Sequence, residues 1–198
     1  MKIPPPGEIR SLHERHAPSR AAFDAVYTHG LIVSEIAAQV AVHAGLDVDM
    51  ELVRAGALLH DIGVYRLYGA DGRLDHAEYV RHGILGEELL RAEGLPEAIC
   101  RFCSRHTGVG ITREDVRAQN LPLPPGDYTA ETPEERLIMY ADKFHSKSVP
   151  PTFVSAPAYA ARVRRFGEDK VVAFKAMCED FGLPDLAPLA AAHGHAVV

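Results

Sequence analysis

Six side chains of this 198-residue chain combine ligand-type chemistry with recurrent spacing: His29, His60, Asp61, His82, His106 and Asp142. Imidazole nitrogen and carboxylate oxygen together suit iron, manganese, cobalt, nickel or zinc. Six donors exceed the four that one structural zinc takes, so the set points to two metals. His60 and Asp61 are adjacent, at the end of the apolar run Leu58-Leu59-His60-Asp61-Ile62-Gly63. Neighbouring residues diverge by about 100° around a helix, so both can face one site only near a helix end or in an interhelical crevice. Cys100, Cys103 and His106 also recur at intervals of three, but no second Cys/His pair lies nearby to complete a zinc knuckle. Buried apolar cysteines are the expectation there.

The elements that must position these residues read as helices, because no stretch shows sustained period-two alternation bounded by turn signals. After Pro18, Ser19 can cap a helix running to about Ala44, with Phe23, Val26, Gly30, Val33, Ala37 and Val40 on one stripe, His29 beside it and Gly45 as the stop. A second helix starts near Asp49, and its Gly56 and Gly63 permit close packing around His60 and Asp61. Asp75 followed by Glu78 predicts the start of a helix in which His82, Leu85 and Leu89 share the inner face. Pro96 suits the first turn of the next helix, which ends at His106 before Gly108 and Gly110. Residues 120–132 read as an ordered loop, either a lid or a plain connector. Thr132-Pro133-Glu134-Glu135 starts a helix that carries Leu137, Tyr140, Phe144 and, one turn before its end, Asp142. Pro150 and Pro151 separate it from two further helices, about 156–166 and 168–181, and the last residues with His193 and His195 read as frayed. The domain organisation expected is an N-terminal lead-in over 1–18, a catalytic core over 19–147 and a helical extension over 148–198.

The motif His29…His60-Asp61-Ile62-Gly63…His82-Gly83…His106…Asp142 resembles the HD-domain superfamily of metal-dependent phosphohydrolases, in its His-Asp-Ile-Gly form, over roughly residues 19–147. Tyr27-Thr28-His29, His82-Gly83-Ile84-Leu85-Gly86 and Ala141-Asp142-Lys143-Phe144-His145-Ser146-Lys147 look like a little-characterised bacterial and archaeal branch, which fixes no substrate. The resemblance implies an all-α HD helical bundle with a C-terminal helical extension. It implies two divalent transition metals, iron or manganese foremost with zinc, cobalt or nickel as alternatives. His29, His60, Asp61 and Asp142 would hold one, and Asp61, bridging, would join His82 and His106 to hold the other. Such a pair about 3.5–4 Å apart shares and acidifies a water that attacks phosphorus. The activity implied is hydrolysis of a phosphomonoester or phosphoanhydride, nucleotide-like by analogy.

Members that cleave cyclic di-GMP carry a Gly-Tyr-Pro element after the histidine cluster, whereas Thr107-Gly108-Val109-Gly110-Ile111 follows His106 here, which disfavours that substrate. A related branch uses a similar ligand order on di-iron for oxygen-dependent cleavage, with a Tyr and Glu lid in its phosphonate-cleaving members. Phe23-Asp24-Ala25-Val26-Tyr27 offers the Tyr without the Glu, so the oxygenase stands as an alternative. A metal-retaining ligand-sensing module is the second alternative.

Around the ligands, Arg66, Lys143 and Lys147 are candidates to reach a substrate phosphate, with a solvated surface charge as the other reading of each. Lys143 and Lys147 would point away from Asp142 on an ideal helix. Asp61 is the central catalytic group and His145 a candidate general acid for the leaving oxygen. Tyr27, Tyr65 and Tyr68 are read as base-stacking groups, proton donors or packing, while His13, His16, His43 and His76 receive no role. A net charge of −6 with scattered Lys and Arg argues against a nucleic acid polymer as partner and leaves a small phosphate substrate, because bound metal reverses the local field. No uninterrupted apolar run approaches the roughly 20 residues of a membrane span, and no membrane partner is expected. Three cysteines and an N-terminus without the apolar stretch of a signal peptide lead to a cytoplasmic expectation, with a homodimer left open.

Overall fold

The computed structural model describes residues 1–198 as ten α-helices, four 3-10 turns and a three-stranded sheet of two-residue strands. Helix α1 (Pro6–His16) makes up most of the N-terminal lead-in: Pro6 occupies its first turn, where the missing N–H costs nothing, and Ile9, Leu12 and His13 are buried. Helix α2 (Arg20–Ala44) follows the sequence reading. Ser19 caps it by accepting from Ala22 N, and Gly45 ends it at φ 61°, a left-handed conformation that glycine adopts without steric cost. By length and composition α2 could span a bilayer, but its apolar residues serve the core. Val26 joins one buried cluster and Val33, Ile36 and Val40 join the other, so His29 lies on the seam between them.

Helix α3 (Met50–Leu59) is capped by the Asp49 carboxylate and stops just before His60 and Asp61. The chain then tightens into the 3-10 turn Ile62–Leu67, and Gly63 lets that turn press against the following helix. A Cβ at Gly63 would lie 2.0 Å from His82 O and 2.3 Å from Gly86 N. Asp75 does accept from Ala77 N and Glu78 N, yet it caps only a turn. A 3-10 turn Tyr79–Arg81 intervenes, and α4 (His82–Ala92) begins at His82 itself. Helix α5 (Glu97–Arg105) ends at His106, with Pro96 preceding the helix rather than lying inside its first turn.

The sequence reading missed α6 (Arg113–Ala118), which Thr112 and Asp115 open as a capping box. The loop after it is tied down by Arg105, which donates to the carbonyls of Asp127 and Thr129 at 3.0 Å each. Thr132 and Glu135 form the expected capping box of α7 (Pro133–Ala141), which ends earlier than expected. Asp142–Phe144 is a 3-10 turn and His145–Ser146 is strand β1. Strand β2 (Thr152–Phe153) pairs antiparallel with β1 and parallel with β3 (Ala196–Val197). The last residues are therefore not frayed. Helices α8 (Ala156–Val163), α9 (Glu168–Phe181) and α10 (Leu186–His193) precede β3. Phe174, Met177 and Phe181 of α9 pack into the same cluster as Ile36 of α2 and Tyr140 of α7.

Candidate metal centre

Helices α3, α5 and α7 end where His60, His106 and Asp142 stand, so three C-terminal dipoles aim partial negative charge at one place. His82 enters from the first turn of α4 and His29 from the middle of α2. One donor atom from each of His29, His60, Asp61 and Asp142 lies within 4.8 Å of the others, and the same holds for Asp61, His82 and His106. The two groups share only Asp61. Its Oδ2 lies 3.2 Å from His29 Nε2 and 3.4 Å from His60 Nε2, while its Oδ1 lies 3.4 Å from His82 Nε2 and 3.5 Å from His106 Nε2. Asp142 Oδ1 completes the first group at 2.9 Å from His29 Nε2.

A test of fit to cations comes from the donors themselves. Asp61 Oδ1 is buried with no hydrogen-bond partner, a costly state for a carboxylate that a cation would relieve. The Nε2 atoms of His82 and His106 face each other at 3.0 Å, and those of His29 and His60 at 3.2 Å. The residues fit two divalent ions with nitrogen and oxygen ligands.

The protonation states of His82 and His106 agree with a ligand role. Burial pushes His82 down to about 4 and also lowers His106, so both are neutral at pH 7 and offer lone pairs. For His60 burial works the same way, but the Asp61 charge and hydrogen bonds with Asp142 and Asp61 outweigh it and raise the imidazole to about 9. Asp61 and Asp142 stay well below the usual carboxylate range although burial opposes it: Lys147 and His60 hold Asp61 there, and Lys143 and His29 hold Asp142.

Asp61, His82, His106 and Asp142 line a cavity of about 540 Å³, and His29 and His60 lie behind them. Lys143 and Lys147 both line it. Lys143 donates to Asp142 Oδ2 at 2.7 Å and to His106 O at 2.9 Å, because the 3-10 turn at Asp142–Phe144 swings it inward where an ideal helix would not. Lys147 pairs with Asp61 Oδ2 across strand β1. Arg66 is not brought in. On the turn Ile62–Leu67 the inward positions are taken by Val64, Tyr65 and Leu67, and Arg66 faces solvent away from the cavity.

His145 lies against both the cavity and His29, with Nδ1 at 2.8 Å from His29 Nδ1 and Nε2 at 3.1 Å from His195 Nδ1. Burial, reinforced by His29 and His195, pushes it down to about 2, and both nitrogens are engaged by histidines. That arrangement suits orientation of His29 better than proton donation to a leaving group. Of the tyrosines, Tyr68 lines the cavity; Tyr27 stacks on Phe23 at 5.1 Å, and the Tyr65 hydroxyl lies 2.8 Å from Nδ1 of the buried His13. His13 thus has a structural role the sequence did not indicate.

Several lining residues were missed: Tyr79, Tyr159, Arg162, Arg165 and Phe166. None of residues 120–132 lines the cavity.

The HD-domain profile matches residues 26–147, more than half the chain. This chain belongs to the HD-domain family. Among curated relatives, an uncharacterized protein of Methanocaldococcus jannaschii is 42% identical over 120 residues, 59% of this chain and 64% of that one. A tRNA (cytidine(56)-2'-O)-methyltransferase of Picrophilus torridus is 38% identical over 128 residues, 65% of this chain and 33% of that one. The matched stretch thus spans less than two thirds of the first relative and a third of the second. Among solved structures, the HD domain of L. monocytogenes phosphodiesterase PgpH superposes with a TM-score of 0.56 at 17% identity, covering 93% of this chain and 98% of that one. The same domain has been solved in complex with cyclic-di-AMP and superposes with a TM-score of 0.55. Similarity at that identity shows the HD fold alone, and family membership with the donor cluster supports a metal-dependent phosphohydrolase in kind.

Proposed function

We propose that this HD-domain protein hydrolyses a small phosphomonoester or phosphoanhydride of nucleotide size, with iron or manganese at His29, His60, Asp61 and Asp142 and at Asp61, His82 and His106. The observation that carries the reading is the sharing of Asp61, one oxygen to each donor group, at the floor of a cavity of about 540 Å³. Bound there, two divalent ions supply an acidified water and draw charge from phosphate oxygens.

The chain's own residues do the rest. Lys143 ties Asp142 to the end of α5, and Lys147 sets a positive charge against Asp61 at the cavity surface. Both ammonium groups are already matched by carboxylates. Arg162 and Arg165 have no acidic partner and line the same cavity, so they are the free cations for substrate phosphate. Tyr79 is pushed up to about 12 by burial, keeps its proton at neutral pH and can donate a hydrogen bond. Tyr68, Tyr159 and Phe166 offer aromatic faces for a base, and the cavity volume lies within the range of about 300–1,000 Å³ that encloses a whole small molecule. The complex of a structural neighbour with cyclic-di-AMP supports that size class. The methyltransferase names belong to proteins of which this stretch is a third, and the net charge of −6 speaks against a polynucleotide held by its phosphates.

The test is metal analysis of the purified protein, followed on the same sample by phosphate release from a panel of nucleotides and simple phosphoesters with and without oxygen. Metal-dependent release that persists without oxygen is the expected result. Oxygen consumption with no anaerobic phosphate would replace the hydrolase by the oxygenase.

A further inference from the structure

The four ligand histidines are oriented by two different devices. His60, His82 and His106 stand at helix ends, and each aims Nδ1 at a backbone carbonyl of the preceding turn: Ala57 O at 2.7 Å, Tyr79 O at 2.6 Å and Phe102 O at 3.0 Å. A carbonyl only accepts, so Nδ1 carries a proton in all three and Nε2 is left to the site. His29 has no such carbonyl. It sits in the middle of α2, where backbone acceptors are consumed by the helix itself. Its Nδ1 instead meets Nδ1 of His145 at 2.8 Å, and His145 Nε2 meets Nδ1 of His195 at 3.1 Å.

This chain of imidazoles has a direction once His29 is a ligand. His29 faces Asp61, Asp142 and His60 through Nε2, so that nitrogen must be the unprotonated one and Nδ1–H donates to His145. His145 Nδ1 then accepts, its proton resides on Nε2, and Nε2–H donates to His195 Nδ1. The three rings meet edge to edge through these nitrogens, their planes within 27° of each other from His29 to His145 and 22° from His145 to His195, and Phe153 closes on His145 at 5.1 Å. His195 is held by the small sheet: Val198 N donates to Phe153 O at 3.0 Å and Ser155 N to Val198 O at 2.7 Å. The two ring–ring hydrogen bonds and the Phe153 ring leave His145 one tautomer and one orientation.

We infer that His195 is a positioning residue for His29, acting through His145, so that the end of the chain sets the affinity of one cation site of the pair. The inference rests on the ligand role of His29 in the proposed function. Outer partners of ligand histidines are typically worth about 10–100-fold in metal affinity. No comparable tie reaches His82 or His106, whose acceptors are backbone.

The experiment is calorimetric titration of metal-free wild type, His195→Ala, His195→Asn and His193→Ala with Mn²⁺, alongside thermal melts of the metal-free proteins. Wild type is expected to show two sites. His195→Ala weakens one of them about 10–100-fold and spares the other, with an unchanged metal-free melt. His195→Asn restores most of the loss, because its Oδ1 accepts where Nδ1 did. His193→Ala changes neither site, since His193 pairs with Glu35 at 2.7 Å and stands outside the hydrogen-bonded chain. Equal affinities in wild type and His195→Ala overturn the inference, as does joint weakening of both sites with a lowered metal-free melt, or failure of Asn to rescue. The readout is metal binding, so a protein that follows this pattern yet releases no phosphate overturns the proposed function alone. A wild type that binds no Mn²⁺ overturns the ligand assignment and this inference with it.

Discussion

Residues 26–147 and residues 148–198 contribute different things to the same cavity. The first region supplies every donor of the two clusters, each placed by a helix end or a helix interior. The second supplies no donor, but Arg162, Arg165, Tyr159 and Phe166 line the cavity and His195 reaches His145 from outside. On the proposed function, the difference separates chemistry from recognition. A ligand set tolerates little displacement and is built on buried elements, whereas groups that choose a substrate can stand on α8 and the 3-10 turn after it, where side chains are exposed and replaceable.

The largest effect should follow from the shared carboxylate. Asp61→Ala removes a donor from both clusters at once, and phosphate release should fall by about 10³-fold or more with both metals depleted on metal analysis. Asp61→Asn keeps the shape, loses the charge and should show the same depletion. Full occupancy in either variant rejects the shared role.

Next comes Gly63→Ala, which strikes the first region through packing. The added methyl would sit 2.0 Å from His82 O, so α4 must move and His82 with it. Overpacking of this kind costs about 1–3 kcal/mol, which for a chain of this size lowers the unfolding midpoint by roughly 2–12 °C. The second cluster should lose metal before the first. Equal loss from both would mean that the clusters are mechanically coupled.

Much of the first region is legible in the sequence because its signals are physical and local. Ser19, Asp49 and the pair Thr132 and Glu135 cap helices at the expected residues, since a short polar side chain before an apolar run satisfies orphan N–H groups. Asp75 misled because the same carboxylate serves a turn equally well, and only tertiary packing decides that α4 waits until His82. The second region is less legible. Two-residue strands such as Ala196–Val197 show no alternation, and the cavity role of Arg162 depends on how α8 docks, a long-range fact with no periodic trace. Arg66 shows the converse error, since nearness in sequence to His60 and Asp61 did not bring it to the site.

A third prediction sharpens the division directly. The double variant Arg162→Ala/Arg165→Ala should raise KM for a nucleotide about 10–100-fold, as expected for loss of charge-assisted contacts, while kcat and metal content stay near wild type. A fall in kcat with KM intact would place these arginines in the chemistry and collapse the distinction.

The smallest effect is a pH dependence in the metal-free protein. Buried His13 and His82, each near 4, and His145, near 2, are depressed below the ordinary 6.5, so the stability they leave intact above pH 6.5 is lost as pH falls through those values. His60 is raised to about 9, so its charged pairing with Asp61 and Asp142 contributes fully below pH 6.5 and is lost as pH rises towards 9. Thermal melts after chelation should therefore peak near pH 6.5, with an alkaline decline on the order of 5 °C by pH 9. Saturating Mn²⁺ should abolish the alkaline decline, because a ligated His60 has already given up the Nε2 proton on which it depends. An alkaline decline that survives metal loading would mean that His60 keeps its proton and is not a ligand.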